Sequence, residues 1–289
     1  MNRRVIAAVF ALLVMVLGVV AAAGSCGRSD ERQQSSPAVG GVGGAGEAGD
    51  DRGVRSVDDV QWAGRTADRW GQMIYTPADS RGELMATGVL ERSDAEAATA
   101  VPQGVVWQYT TIGDDIAPVP FSTTDGPTRF DGGVPAGYAR TAAGAALVAA
   151  TNVSAMLGWG SGGLEWLSTR GDAKALVEEN RHRAEMDSDE RVRDIMRAQN
   201  ADLSDRDTFD RLRRIPVPEG FTVEAFDGSY ARINIVLHLY QKGQQVWTSM
   251  PLDLAWVDGD WTIDYAGAAA DQAPQGSLEP IPGVIRWGA

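Results

Sequence analysis

The chain has 289 residues, with 26 Lys and Arg against 39 Asp and Glu, for a formal net charge of -13. That acidic balance excludes nucleic acid as an expected partner, because phosphate binding is driven by Lys and Arg displacing counterions. One cysteine and two histidines exclude an internal disulfide framework and a Cys-based zinc cluster, so no metal or cofactor is expected.

In chain order, the first element is a membrane signal at residues 1–26. Arg3 and Arg4 precede nineteen uncharged, mostly aliphatic residues, Val5 to Ala23. At about 1.5 Å per residue this run reaches roughly 28 Å, close to the hydrocarbon core of a bilayer. The leading arginines favour a cytoplasmic N-terminus and a body outside the membrane. Ala23-Gly24-Ser25-Cys26 places small residues before the only cysteine. It is similar to a bacterial lipobox, with Ala23 where a bulky aliphatic is usual. Three outcomes follow: an uncleaved single-pass anchor, lipidation at Cys26, or full release.

Residues 27–56 hold eight glycines, three bulky apolar residues (Val39, Val42, Val54) and no aromatics. Such a stretch does not bury enough surface to offset its ordering entropy, and it is read as a disordered tether. Residues 57–138 are rich in Trp, Gly and Pro, including Trp62, Trp70, Trp107 and Pro118-Val119-Pro120-Phe121. They are read as an irregular wrapping segment, with a short helix around Gln61–Tyr75 and one strand within Val101–Thr111.

Residues 139–289 are read as the main domain. Thr141 is a good N-cap for Ala142–Leu157, a run apolar almost all round and therefore expected to be buried. Asp172 to Arg214 carries twelve acidic and ten basic residues, so its field has no single polarity. It reads as a solvated helical surface laced with ion pairs. After it, Ala231, Ile233, Ile235, Leu237 and Leu239 alternate with Arg232, Asn234, Val236, His238 and Tyr240. The same period of two runs through Val246–Trp256 and Trp261–Tyr265. Asp258-Gly259 is a strong hairpin signal, and Asp227-Gly228 joins Phe221–Phe226 to Tyr230–Tyr240. The prediction is a four-stranded antiparallel meander with one apolar face, roofed by the preceding helices.

Helices followed by a long curved antiparallel sheet resemble the nuclear transport factor 2-like cone fold. Gly126-Pro127-Thr128-Arg129, Gly137–Ala145, Trp256-Val257-Asp258-Gly259-Asp260-Trp261 and Gly283-Val284-Ile285-Arg286-Trp287-Gly288 are similar to an actinobacterial membrane-tethered domain of unknown function. The resemblance covers roughly residues 100–289. It implies an α+β class, helices on a curved four-stranded sheet, akin to extracytoplasmic domains of VirB-type and Gram-positive conjugation scaffold proteins. It carries over no catalytic residue.

Motifs for chemistry are weak. Gly158, Gly160 and Gly163 satisfy G-x-G-x-x-G, but a helix precedes them where a dinucleotide loop needs a strand. No G-x-S-x-G is present, and His182 and His238 sit in the charged helix and on the polar sheet face. A cone-fold isomerase or dehydratase would need an ionisable group among Ile233, Ile235, Leu237, Met250, Leu252 and Leu254, and only Tyr265 is in phase. Trp247 and Val257 on the polar side mark an interface or are covered by the wrapping segment or the Pro-rich tail. The expectation is a non-enzymatic, membrane-tethered extracytoplasmic binding or assembly protein whose partners are other cell-envelope proteins. A small apolar ligand binder and an enzyme of the same fold are the alternatives. The oligomeric state is not set by the sequence.

Overall fold

The computed structural model describes residues 53–112, 115–158, 216–241, 244–264 and 275–287. The expected anchor, most of the tether, the charged stretch from Asp172 to Arg214 with His182, and Tyr265 all lie outside the described residues. No helix among the described residues is long and apolar enough to cross a membrane.

The expected class is corrected. Instead of helices roofing a four-stranded cone, the described residues are mostly β-sheet, with only two α-helices longer than a single 3-10 turn. The first sheet has the order β1 (Gly64–Ala67), β2 (Met73–Thr76), β3 (Val106–Ile112), β4 (Asp115–Phe121). β2 and β3 run parallel, and the other pairs are antiparallel. The helix expected around Gln61–Tyr75 is thus a strand pair. The prolines that made this region look irregular, Pro118 and Pro120, lie on β4. That strand is at a sheet edge, where a missing N–H costs no ladder bond. Helix α1 (Asp94–Ala98) and the small ribbon β5 (Arg129–Asp131) with β6 (Val134–Ala136) complete this half.

The second sheet contains the predicted meander. β7 (Gly220–Phe226), β8 (Tyr230–Gln241), β9 (Gln244–Val257) and β10 (Asp260–Ile263) pair in chain order, all antiparallel. Asp258 and Gly259 both take positive φ, 53° and 84°, as a tight Asp-Gly hairpin requires. At the other turn only Gly228 is positive. There Asp227 Oδ1 accepts the backbone N–H groups of Ser229 and Tyr230 and sets the loop by its side chain. The tail extends the sheet to six strands: β11 (Gln275–Ser277) pairs with β9, and β12 (Ile285–Arg286) pairs with β7.

Helix α2 (Ala142–Gly158) lies against β4 of the first sheet and β7–β10 of the second. Its run of Ala, Leu and Val leaves no polar stripe for water. Ala142, Ala146, Leu147, Ala149, Ala150 and Val153 are each fully buried. Leu147 and Val153 share one core with Trp107, Ile233, Ile235, Leu254 and Trp261. A second core holds Met85, Val106, Val119 and Phe121 with Ala155 at the far end of the helix. Burying each large aliphatic side chain contributes about 1.5–3 kcal/mol. The alternation Ile233, Ile235, Leu237 therefore fixes which sheet face meets the helix.

Candidate functional site

A cleft of about 430 Å3 opens at the N-terminal end of helix α2. Four chain segments build it. Val89, Leu90, Glu91 and Arg92 come from the stretch before α1. Thr128 and Arg129 lead into β5. Gly137, Tyr138, Arg140 and Thr141 form the loop before α2. Trp256 and Gly259 belong to the β9–β10 hairpin.

Buried ionic groups hold these segments in place. Asp260 Oδ2 accepts the N–H of Gly137 at 2.7 Å, and Oδ1 accepts those of Tyr138 at 3.2 Å and Trp261 at 2.9 Å. The hairpin thus captures the loop before α2. Beside it, the indole N–H of fully buried Trp261 donates to the Ala139 carbonyl at 2.8 Å. Gly137 has φ of 78°, and a Cβ there would run into the side chains of Thr128 and Arg129. A glycine is required at this crossing.

Asp125 anchors the start of the helix. It is fully buried, and its Oδ1 accepts from the Thr141 hydroxyl at 2.7 Å. Thr141 Oγ1 in turn accepts the Gly144 N–H at 2.9 Å, the N-cap bond the sequence predicts. Arg92 closes on Asp125 with two bonds, 2.5 and 3.2 Å, as a paired buried charge must. Arg129 is also engaged. Its Nε reaches both oxygens of Asp131 at 3.2 and 3.1 Å, and Nη2 lies 3.8 Å from Asp260. Arg140 differs. Its Nε donates to the Gly228 carbonyl at 2.6 Å, and its guanidinium lies over the Trp256 ring at 5.8 Å. It makes no ion pair among the described residues.

The hydrophobic lining expected for a cone pocket belongs to the packed core among the described residues, with Leu252 partly buried against it. Ile233, Ile235, Leu237, Met250 and Leu254 are buried in the core under α2. Neither His238 nor Asp264 lines the cleft. His238 is instead stacked between two indoles: Trp70 at 3.6 Å and Trp247 at 4.2 Å, both nearly parallel to the imidazole. Asp68 positions Trp70 by accepting its backbone N–H and that of Gln72, each at 2.8 Å. Burial pushes the Asp68 carboxyl above its usual range against the pull of these bonds. The Trp70 indole N–H donates to the His238 carbonyl at 2.9 Å. The Trp247 indole N–H donates to Glu219, which also receives Arg286. Trp70 of the wrapping segment thus covers His238, the tail reaches Trp247 through Arg286 and Glu219, and Val257 stays 49% exposed; the Trp70–His238 stack ties the two halves together.

On the same sheet Arg232 grips Asp253 with bonds of 2.7 and 2.8 Å, and Tyr230 donates its hydroxyl to Asp253 at 2.5 Å. Burial, then the Asp253 hydrogen bond, push the Tyr230 phenol up to about 12. With Asn234 bonded to Thr222 and Glu224, the polar row Arg232–Asn234 is internally satisfied. No cluster of three or more metal-binding side chains occurs among the described residues. Cys26 and the second and third glycines of the Gly158–Gly163 motif lie outside them.

The sequence segments Gly126–Arg129, Gly137–Ala145 and Trp256–Trp261 meet at the cleft. Their glycines, Asp260 and Thr141 serve its architecture, whereas Arg140 and Trp256 face the opening. Glu91 and Arg92 were missed by sequence reading. Arg92 acquires its role only from Asp125, 33 positions further on in a different loop.

No curated protein and no solved structure matches this chain. A family model matches residues 75–286, which include every segment of the cleft, and the chain belongs to that family, described as Domain of unknown function (DUF8175).

Proposed function

We propose that the chain is a non-enzymatic, membrane-tethered extracytoplasmic protein that works by binding, as an assembly component of a cell-envelope complex of the conjugation or secretion class. The apolar run Val5–Ala23 and the glycine-rich stretch 27–56 support the location: an anchor with Cys26 as a lipidation site, then a reach on the order of 30 Å. The observation that carries the binding role is the cleft at the start of α2. Its lining is guanidinium, hydroxyl, aromatic and aliphatic groups with one carboxylate, Glu91. Two of its three arginines are already spent on Asp125 and Asp131. Such a surface grips and orients a ligand; its held charges are not poised to move protons.

The test is site-specific photocrosslinking in cells. A crosslinker at Val89 on the cleft is compared with one at Leu278, which is 67% exposed on the tail. A discrete envelope partner captured from Val89 and lost on Arg140→Ala supports the reading. Capture from Leu278 alone, or from neither, refutes the cleft as the binding site. Intact mass of the native protein decides the anchor, because lipidation at Cys26 removes the residues before it.

A further inference from the structure

We infer that the cleft is a site for a monocarboxylate bearing an adjacent apolar group, with Arg140 receiving the carboxylate and Trp256, Val89 and Leu90 holding the apolar part. This rests on the binding reading above and names its ligand class.

The argument is one of charge accounting. Three guanidinium groups line the cleft. Arg92 is neutralised by Asp125, with the two side chains 11% and 0% exposed. Arg129 is neutralised by Asp131, 3.1 Å away. Arg140 is exposed and uses only Nε, on the Gly228 carbonyl. Asp227, in the same turn as Gly228, spends its Oδ1 on Ser229 and Tyr230. Asp227 lies near enough for the Arg140 charge to lower its carboxyl, the last of the causes acting on it, but it makes no ion pair with Arg140; among the described residues Arg140 is thus the lining guanidinium with no carboxylate at contact distance. Its remaining N–H groups form the planar fork that matches a carboxylate.

Valence follows from the same count. One lining cation without an ion pair, in a cleft that also holds one carboxylate, Glu91, suits a single negative charge and disfavours a phosphate dianion. Volume and lining set the rest. A cleft of about 430 Å3 falls in the range of small-molecule sites, ~300–1,000 Å3. The Trp256 indole, already under the Arg140 guanidinium, offers a flat apolar wall next to the charge. A free organic acid and the C-terminus of a polypeptide present this same chemistry.

The experiment is calorimetric titration of the full chain in detergent with benzoylglycine, its uncharged amide, inorganic phosphate, and a short acetylated peptide ending in Phe as free acid or amide. Benzoylglycine is expected to bind saturably near ~1 mM. The amide is expected to bind at least about tenfold more weakly, from loss of a charge-assisted bond. Arg140→Ala removes the binding. Glu91→Gln touches no hydrogen bond of the described residues and tightens it about threefold, the effect of one unit charge across a partly solvated cleft. A free-acid peptide that outbinds benzoylglycine identifies a chain terminus as the source, and equal binding identifies a free acid. Equal binding of acid and amide, tighter binding of phosphate, or an unchanged affinity in Glu91→Gln overturns the inference. If the Val89 crosslink persists in Arg140→Ala while no acid binds, the carboxylate inference fails and a partner-binding role stands. Loss of both sinks the two together.

Discussion

Gly144→Ala sets two opposed effects against each other at the start of α2. Within a helix, alanine is better than glycine by at most about 1 kcal/mol. The structure predicts the opposite sign here. A Cβ at Gly144 would overlap the Ala139 carbonyl oxygen, with the Ala139 carbonyl carbon at 3.0 Å and its nitrogen at 3.1 Å. These are backbone atoms, and they are held. The Ala139 oxygen receives the indole of fully buried Trp261, and the Ala139 N–H donates to the Asp125 carbonyl at 3.0 Å. Relieving the overlap needs a shift of roughly 1 Å, and overpacking of that kind costs about 1–3 kcal/mol. The shift also strains the Trp261 bond, and a buried polar group left unpaired costs a further ~1–3 kcal/mol. Subtracting the propensity gain leaves a net destabilisation of about 3 kcal/mol. Urea denaturation followed by circular dichroism measures it at constant m-value. The midpoint of thermal unfolding should fall by about 6–12 °C for a folded body of this size. One position earlier, Ala143→Gly should cost about 2 kcal/mol, the ordinary ~1 kcal/mol of helix propensity plus ~1 kcal/mol for its fully buried methyl. A Gly144→Ala variant as stable as the parent, or more so, would refute the close approach of α2 to the 137–141 loop.

Two tryptophans with the same burial give a second prediction. Trp107 and Trp261 are both 0% exposed, but the Trp261 indole N–H is bonded to Ala139 while that of Trp107 has no partner. Trp261→Phe should therefore cost about 1–2 kcal/mol more than Trp107→Phe in the same denaturation assay, and equal costs would contradict the bond. The Tyr230 phenol provides a pH test. Its folded value of about 12 lies above the ordinary ~10. The stability it contributes is thus complete below pH ~10 and is lost as pH rises through ~12. Ultraviolet titration should show a late-ionising phenol, and Asp253→Asn should bring that ionisation down towards the ordinary range. A titration unchanged by that substitution would separate Tyr230 from Asp253.

What could be read from the sequence divides along a physical line. β8, β9 and β10 announce themselves because one face of each carries the large apolar side chains of the core, so Ile233, Ile235, Leu237 and Leu254 recur with the period of a strand. The connections are local turns with residue types of their own, as at Asp258-Gly259. Helix α2 is legible for the converse reason: Ala142–Leu157 is apolar almost all round, and Ala142–Ala155 is buried on every side. The first sheet leaves no such trace. β1 and β2 have four residues each, too few for a period to show. The parallel pairing of Ile74 with Trp107 joins residues far apart in the chain, and β4 carries prolines that only its edge position makes tolerable. Reading those prolines as irregular structure removed a whole sheet, and with it the correct class.

The cleft follows the same rule at the level of single side chains. Asp260 reads locally as part of a hairpin, yet its carboxylate is spent 123 positions back on Gly137. Arg92, Arg129 and Arg140 look equivalent in sequence, three arginines in loops. The fold makes them different by giving Asp125 to the first and Asp131 to the second, while the third bonds an uncharged acceptor, the Gly228 carbonyl, with Asp227 near it but not ion-paired to it. A carboxylate that pairs with an arginine fixes architecture; an arginine held only through Nε keeps its charge for something else. That allocation is a property of the packed loops, not of any motif, which is why Arg140 emerges as the ligand-facing cation only once Asp260, Asp125 and Thr141 have been seen to hold the loop beneath it.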